Sequence, residues 1–452
     1  MTFEEAKTYL LEKATKQKIE AEILATETRE LSLKAFEGKL EDITSAVMGG
    51  IGVRVETGGK IGYASSEERS SEALDWMLQE AIENASLQTT SDGFIPPGTA
   101  LGRQDLPDEG LSGDLEQKRA MPLEVEKIIR QDKRTDQVDS TQYSEFDSEV
   151  LVASTKGSSG GYRTGAAYVG GNVIMTDGKV KKSGWEYKAK REVNKLEPGQ
   201  TALELIEKTA RHLGAKPLKT GKYRAYFEPQ AFMGLMRVFG EMLSAQNVLE
   251  GQSKLANRLG EKIGSDFVTF IDDPMHPEGL GSQPFDAEGV KSQRLVLVEK
   301  GILKSYIHNS YTAKKLGMKN TAHASRYYNS VLNVDFSNLF LEPGSGIGMK
   351  DGIIITDLSG LHAGANSISG EFSVQALGLK VEGGESVHAV ENFAIAGGVA
   401  RATTKYRRTR GEARVARFAW QSLGRSSGIV VCWCLKGSSQ NSVVSSQHGF
   451  FY

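Results

Sequence analysis

The pattern of apolar and polar positions predicts helices and strands in irregular order. Apolar residues recur at helical spacing over residues 3–14 and again over 73–82, so we expect an amphipathic helix in each segment. Strict alternation, which is typical of strands, marks residues 20–34, 52–56 and 60–64. The Gly58-Gly59 pair between the last two of these is typical of a hairpin turn.

Later segments continue this mixture. Pro122 is predicted to open a short helix that ends at Ile129, and Thr201-Ala-Leu-Glu204 resembles a capping box, which predicts a helix over residues 202–213. Phe232, Leu235, Met236 and Phe239 form a core-facing helical stripe. The stretches 139–196 and 295–390 consist largely of predicted strands with glycine turns. This order indicates an α+β fold rather than a regular βαβ series.

Domain boundaries follow from changes in composition. A chain of 452 residues is long enough for about three domains. We predict one or more N-terminal α/β domains followed by a β-rich C-terminal domain. The predicted segments are an N-terminal α+β domain (1–92), a Gly/Pro/Asp-rich linker (93–121), a mostly β middle region (122–215), the β-rich domain (216–397) and an atypical basic tail (398–452).

The charge distribution and the positions of the cysteines exclude some classes of function. The net charge is −2, but the residues after Gly398 include nine Lys/Arg and one acidic residue, and the remainder has 46 basic and 56 acidic residues. A mildly acidic body does not favour nucleic-acid binding, which needs clustered cations. Both cysteines lie in the tail, and the N-terminus lacks the pattern of a signal peptide. We therefore expect a cytoplasmic protein that acts neither on nucleic acid nor in a membrane.

The common catalytic motifs are missing from the sequence. None of the seven histidines lies four or five residues from another, so neither spacing of a helical zinc site occurs. Gly157-Ser-Ser159-Gly-Gly161 fits the Gly-x-Ser-x-Gly pattern, but a β-like segment follows it, whereas a nucleophile elbow is followed by a helix. We interpret it as a hairpin loop.

Two acidic clusters are the remaining candidates. Asp272-Asp273-Pro274 and Asp286-Ala-Glu288 lie 14 residues apart around a Gly/Pro-rich loop. Paired carboxylates bind hard metals or act as acid and base, which would make the chain an independent hydrolase. The same residues are also common in turns and interfaces. The residues alone leave both interpretations open.

Several segments resemble the TldD/PmbA family, once called modulators of DNA gyrase. The resemblance covers residues 1 to about 397 and is most specific from 253 to 397. The motifs that carry it include Val268-Thr-Phe-Ile-Asp-Asp-Pro274, Gly279-Leu-Gly-Ser-Gln-Pro-Phe-Asp-Ala-Glu-Gly289, Gly360-Leu-His-Ala-Gly-Ala-Asn366 and Ser369-Gly-Glu-Phe-Ser373. The polar residues of these motifs are predicted to line a cleft or an interface: Asp272, Asp273, Asp286, Glu288, His362 and Glu371.

The resemblance implies a subunit of a peptidase. TldD-type chains hold zinc with a His-Glu-x-x-x-His helix and a later cysteine, whereas TldE/PmbA-type chains lack the metal helix and pair with them to degrade or trim peptides. Met236, Arg237 and Glu241 stand at the zinc-motif positions here, and no histidine occurs from residue 213 to 275. The resemblance therefore implies no catalytic or metal-binding residue in this chain, zinc in a TldD-type partner, and a peptide substrate.

An alternative from a different class is a stand-alone binding or scaffold protein without peptidase activity. Such a protein would act as a homodimer on gyrase-related or toxin–antitoxin partners. The absence of a TldD-type chain from its complexes would favour this alternative over the peptidase subunit.

The tail departs from the family pattern after Gly398. Reading the codons of Ala400 to Tyr406 one base later permits Glu-Leu-Leu-Leu-Asn-Ile, which suits the family, so we hypothesise a reading-frame shift. A nucleic-acid-binding arm and a metal or redox pair at Cys432-Trp-Cys434 are alternatives. If the frame is shifted, the final β segment is missing and its partner strands keep unpaired edges.

Sequencing the gene tests the frame-shift hypothesis. We expect a family-like continuation in another frame after the codon of Gly398. Its absence from all three frames would refute the hypothesis.

Overall fold

The computed structural model describes residues 1–106, 110–111, 113–264, 266, 268–342 and 350–398. It also describes the backbone of 418–423, 426–431 and 433–438. Cys432 and the side chain of Cys434 lie outside the described part, so the proposed cysteine pair receives no structural account.

The described part of the N-terminal half contains four α-helices and one seven-stranded sheet. In chain order its elements are α1 (Phe3–Lys16), β1 (Glu20–Phe36), β2 (Lys39–Thr57), β3 (Lys60–Ser66), α2 (Ser71–Ser86), β4 (Ala100–Arg103), α3 (Leu115–Gln131), β5 (Thr135–Ser154), β6 (Ser159–Thr176), β7 (Lys181–Lys190) and α4 (Pro198–Ala210). The strand order is β3-β2-β1-β5-β6-β4, and β7 pairs with the outer part of β6. The two N-terminal regions separated in the sequence analysis thus contribute strands to the same sheet.

All four helices cover one face of this sheet. Side chains alternate between the faces of a strand. Ala21, Ile23 and Ala25 of β1 pack in one cluster with α1 and α2, whereas Leu33, on the same face farther along β1, packs with α3 and α4. The intervening even-numbered residues, including Glu22 and Leu24, point to the opposite face, where Leu24 contacts Phe285 of the C-terminal half.

The C-terminal half has short strands and short helices. Its elements are β8 (Lys216–Pro217), β9 (Lys222–Phe227), α5 (Pro229–Gly240), α6 (Ala245–Leu249), β10 (Phe270–Asp272), β11 (Leu295–Glu299), β12 (Ile302–Leu303), α7 (Ser310–Leu316), β13 (Ala324–Ser325), β14 (Asn333–Val334), β15 (Leu339–Leu341), β16 (Gly352–Ser359), α8 (Leu361–Gly364), β17 (Ala365–Asn366), β18 (Glu371–Glu382), β19 (Glu385–Gly398), β20 (Phe418–Leu423), β21 (Ser426–Val431) and β22 (Trp433–Ser438). The α+β prediction is confirmed.

Five of these strands form a closed ring. β16 pairs with β18 and β9, β18 pairs with β19, and β22 pairs with both β19 and β9. The expectation that a missing final segment leaves free strand edges is therefore wrong for β9 and β19, because the backbone of β22 pairs there. Backbone pairing uses the N–H and C=O groups that every non-proline residue has, so it does not reveal the reading frame. The frame-shift hypothesis stays a prediction.

Two helix starts differ from the sequence prediction. α3 begins at Leu115, where the Asp114 carboxylate accepts a hydrogen bond from the N–H of Glu116, so Pro122 lies inside the helix. The predicted linker consequently includes β4 and the first part of α3. α4 begins with Pro198, whose fixed φ suits a first turn. The Thr201 hydroxyl donates to the Glu197 carbonyl instead of capping the helix.

Residues 295–390 are less rich in strands than predicted, because α7, α8 and irregular segments separate short strands. The predicted hairpin turn agrees with the structure. Gly58 and Gly59 form the turn between β2 and β3, since Thr57 pairs with Lys60. Among the described residues, no helix is both long enough and apolar enough to cross a bilayer.

Candidate functional site

The helix α5 occupies the place where the resemblance puts the zinc motif. Phe232, Leu235 and Phe239 on this helix are buried in the C-terminal core, as the predicted stripe requires, while Met236 is half-buried and Arg237 is exposed. The helix ends at Gly240, so Glu241 lies in a following 3-10 turn, exposed to solvent. The Asn247 amide donates to a carboxylate oxygen of Glu241 at 3.1 Å.

These residues do not fit a zinc ion. A thioether is a soft, weak ligand, a guanidinium has no lone pair to donate, and α5 has no histidine. Within the described residues no group of three or more His, Cys, Asp or Glu side chains is arranged to hold a metal.

Asp272 lies at the end of β10, and its carboxylate is fully buried. It accepts hydrogen bonds from the Ser337 N–H and hydroxyl, and its Oδ2 lies 3.1 Å from Nε2 of His323. Its neighbour Asp273 is half-buried and accepts from the N–H of Met275, an ordinary turn contact. The adjacent aspartates thus have different environments.

Asp286 holds its loop together through backbone hydrogen bonds. Its carboxylate accepts from the N–H groups of Glu288, Val290 and Ala324 at 2.9–3.0 Å. Burial raises the pKa of Asp286, and the nearby Glu288 carboxylate raises it further, while the three N–H donors oppose both effects. The side chain is 2% exposed, so it meets no substrate in this state.

Glu288 joins the C-terminal half to the N-terminal sheet. Nη2 of Arg54 in β2 lies 2.9 Å from both Glu288 Oε1 and Glu22 Oε2, and Glu22 Oε1 is 3.0 Å from Nη2 of Arg326. The second oxygen of Glu288 accepts the N–H of Ser310 at the start of α7. Two cations and two anions from four segments that are distant along the chain therefore form a linked, charge-balanced set, the interdomain charge cluster (Glu22, Arg54, Glu288 and Arg326). Among the described residues, Nε of Arg54 and both Nε and Nη1 of Arg326 have no hydrogen-bond partner.

Burial is the largest single effect on the charges of Glu22 and Arg54. It raises the pKa of Glu22, and the Arg54 and Arg326 guanidinium groups oppose that effect. Burial also disfavours the charge of Arg54, but the carboxylates of Glu22 and Glu288 outweigh it and raise the pKa of Arg54. All four side chains are 4% exposed or less. The cluster is suited to holding two halves together, and it presents no acid or base to solvent.

One short segment contacts three of the buried acids. His323 contacts Asp272, the N–H of Ala324 contacts Asp286, and Arg326 contacts Glu22. The structure thus brings the predicted residues Asp272 and Asp286 together at residues 323–326, and it joins Glu288 to the same region through Arg54 and Glu22.

The other predicted residues lie elsewhere. His362 in α8 and Glu371 at the start of β18 are exposed. The Gly157–Gly161 motif is a hairpin turn: Ser159 begins β6, and buried Ser158 donates to the Glu288 carbonyl. The nucleophile-elbow geometry, with a helix after the serine, does not occur there.

Sequence reasoning missed Glu22, Arg54 and Arg326. In an alternating strand, a charged residue at every second position is typical of a solvent-facing row. Alternation identifies the face on which a residue lies but not what covers that face, and here the C-terminal half covers it. The matching of one acidic and one basic residue on neighbouring strands, Glu22 opposite Arg54, was the available signal.

Comparisons with known proteins agree on one family. Its models, described as PmbA/TldA metallopeptidase domain 1, central domain and C-terminal domain, match residues 21–85, 110–213 and 220–431. A metalloprotease from Archaeoglobus fulgidus is 30% identical over 66% of this chain and 68% of its own. The metalloprotease PmbA from Escherichia coli O157:H7 is 26% identical over 87% of this chain and 88% of its own.

The fold matches a solved structure over nearly the whole chain. A putative modulator of DNA gyrase from Thermotoga maritima has a TM-score of 0.85 and 28% identity, and the match covers 97% of this chain and 100% of that one. The match to the C-terminal family model ends at residue 431, beyond the last resemblance found from sequence at about residue 397.

Replacing Arg54 tests the interdomain charge cluster. Because Arg54→Met leaves Glu22 and Glu288 buried without their shared cation, we expect the free energy of unfolding to fall by about 3–5 kcal/mol. Urea unfolding measures it. The control is Arg134→Met, which removes an exposed pair with Asp132 and should cost less than about 1 kcal/mol. Equal losses in the two variants would contradict the assignment.

Two buried histidines predict loss of stability in mild acid. Burial is the main cause that lowers the pKa of His212 and of His308 to about 4. In the unfolded chain the value is about 6.5, so unfolding takes up protons between these two values. The free energy of unfolding therefore falls as pH drops from 6.5 towards 4, by at most about 1.4 kcal/mol per pH unit and histidine.

The variant His308→Asn isolates one of these contributions. We expect its free energy of unfolding to decline less steeply than that of the wild type between pH 6.5 and 4.5. His362→Asn, which changes an exposed histidine, serves as the control and should keep the wild-type slope. An unchanged slope in His308→Asn would show that His308 is not held neutral by burial.

Proposed function

The chain belongs to the PmbA/TldD family of metallopeptidase-like proteins, and we propose that it is the metal-free subunit of a two-chain peptidase. A TldD-type partner supplies the zinc, and the pair degrades or trims peptides in the cytoplasm. The observation that carries the proposal is the chemistry of α5 and the turn after it, where Met236, Arg237 and Glu241 stand in place of two histidines and a general base.

The burial of the acidic residues supports the same proposal. An independent hydrolase would need carboxylates that reach a substrate, but Asp272, Asp286 and Glu288 are each 2% exposed or less and are engaged in structural hydrogen bonds. His362, Glu371 and the half-buried Asp273 are the predicted residues that solvent reaches. We propose that these three face the partner or the peptide.

Metal analysis and a cleavage assay test this proposal. We expect the purified chain to hold no stoichiometric zinc and to cleave no peptide, and its complex with a TldD-type chain to hold one zinc per pair and cleave an unstructured peptide. Substituting a zinc-motif histidine of that partner should abolish both zinc binding and cleavage.

The matched change in this chain is Met236→Ala with Arg237→Ala. It should leave zinc content and cleavage by the complex unchanged, because neither side chain serves the metal. Stoichiometric zinc in the isolated chain would overturn the proposal, and so would peptide cleavage without a partner.

A further inference from the structure

The buried side chain of His323 has a partner at each of its two ring nitrogens. Nδ1 lies 2.7 Å from the carbonyl oxygen of Thr321, and Nε2 lies 3.1 Å from Oδ2 of Asp272. The side chains of His323 and Asp272 are 2% and 0% exposed. Because water does not reach this contact, the hydrogens on the ring have to match the two partners that it faces.

The partner of Nδ1 fixes one of these hydrogens. A backbone carbonyl accepts hydrogen bonds and never donates them, so Nδ1 must carry a hydrogen. The Thr321 hydroxyl, 3.0 Å from Nδ1, does not change this, because it donates its own hydrogen to the carbonyl of His308. A neutral ring has only one hydrogen. A neutral His323 would therefore present a bare lone pair at Nε2.

The partner of Nε2 is a carboxylate that already accepts two hydrogen bonds. Ser337 donates its N–H, at 3.1 Å, and also its hydroxyl to Asp272. Donors of this kind favour the ionised form of a carboxyl group. A bare lone pair facing an ionised oxygen would be repulsive in a place that water does not screen. One further hydrogen must therefore lie between Nε2 and Oδ2.

We infer that His323 is a buried imidazolium that holds both ring hydrogens and forms an ion pair with the Asp272 carboxylate. The competing arrangement places the second hydrogen on Asp272 and leaves both groups neutral. Hydrogen bonds to an ionised acceptor are roughly twice as strong as those between neutral groups, so the two Ser337 donors favour the ion pair. The inference concerns this chain alone and does not rest on the proposed function.

The ion pair holds a turn whose backbone is strained. Ala322 has a φ of 61°, in the left-handed region that favours glycine. The residues on both sides of it are fixed, since the Thr321 carbonyl accepts from the His323 ring and that ring is held by Asp272. Arg326, three residues after His323, belongs to the interdomain charge cluster. The ion pair thereby positions the segment that carries Arg326.

Nitrogen NMR on protein with isotopically labelled histidine measures the positions of the hydrogens. The two ring nitrogens of an imidazolium resonate close together, whereas a ring nitrogen without hydrogen resonates far downfield. At about pH 7.5, where an exposed histidine is mostly neutral, we expect close signals for His323. We expect widely separated signals for His308, because burial lowers its pKa to about 4. His323→Gln and His308→Gln assign the signals. A downfield nitrogen in His323 would overturn the inference.

The variant Asp272→Asn distinguishes the ion pair from the neutral arrangement. An amide has no charge to stabilise an imidazolium, but it can donate to a bare Nε2, so we expect one nitrogen of His323 to shift far downfield. The amide oxygen still accepts from Ser337. The matched control is Asp273→Asn at the adjacent aspartate, which accepts from Met275 and should leave the His323 signals unchanged. Unchanged signals in Asp272→Asn would contradict the ion pair.

Hydrogen exchange tests whether the ion pair positions the segment. In Asp272→Ala the imidazolium loses its counterion, so we expect faster exchange of the backbone amides of residues 322–326 and of residues 52–56, which include Arg54. Residues 6–14 of α1, on the other face of the sheet, should exchange as in the wild type. Wild-type exchange in both of the first two segments would show that the pair does not position Arg326.

The strain at Ala322 is tested by a variant that keeps the ion pair. Ala322→Gly removes the Cβ that disfavours a positive φ, so we expect the midpoint of urea unfolding to rise. Ala324→Gly, two residues later in β13, is the control and should lower the midpoint. A fall in the midpoint of Ala322→Gly would show that the turn stores no strain for the ion pair to hold.

Discussion

The interdomain charge cluster is the constraint on which the arrangement of this protein depends. Glu22 and Arg54 belong to neighbouring strands of the N-terminal sheet, and Glu288 and Arg326 belong to loops of the C-terminal half. Removing charges from water is costly unless each finds its counterion. Glu22 pairs with Arg54 within the N-terminal half, whereas the contacts of Glu288 with Arg54 and of Arg326 with Glu22 form only across the two halves. Correct docking of the halves completes the set, so the cluster favours one relative position over others.

This constraint also explains why the acidic motifs of the C-terminal half are not a reactive site. Carboxylates that act as acid or base need access to a substrate and an unsatisfied position. Here Asp272 is satisfied by Ser337 and His323, and Asp286 by three backbone donors. Asp272 and Asp286 hold His323 and the N–H of Ala324, and the same segment places Arg326 in the cluster. Sequence motifs that distinguish a family can thus serve to assemble the fold rather than to catalyse a reaction.

The sequence predicts those features that depend on local periodicity. The helices α1, α2 and α5, the Gly58-Gly59 turn and the β-rich character of residues 139–196 follow from spacing alone. The start of α3 was missed because proline was taken to begin the helix, whereas the helix begins at Leu115 after the Asp114 cap and contains Pro122 in its interior. The charge cluster was missed because its members are up to 304 residues apart, and each looks like an ordinary surface charge in its own strand or loop. Which segment covers a given face of a sheet depends on how the whole chain folds, and local periodicity does not contain that information.

The length of the strands determines which parts of the N-terminal sheet are covered by helices, by the C-terminal half or by a neighbouring strand. β1, with 17 residues, spans about 55 Å at about 3.3 Å per residue, whereas α1, with 14 residues, spans about 21 Å. One helix pair is too short to cover such strands along their whole length. Two helix pairs, α1 with α2 and α3 with α4, therefore lie one after the other along the same face. On the opposite face the C-terminal half covers the end that holds Glu22 and Arg54. β3, with seven residues, pairs only with the end of β2 near Arg54, and no described strand other than β1 pairs with the middle of β2. The same strand therefore joins the two halves at one end and extends well beyond that contact at the other, which its length makes possible.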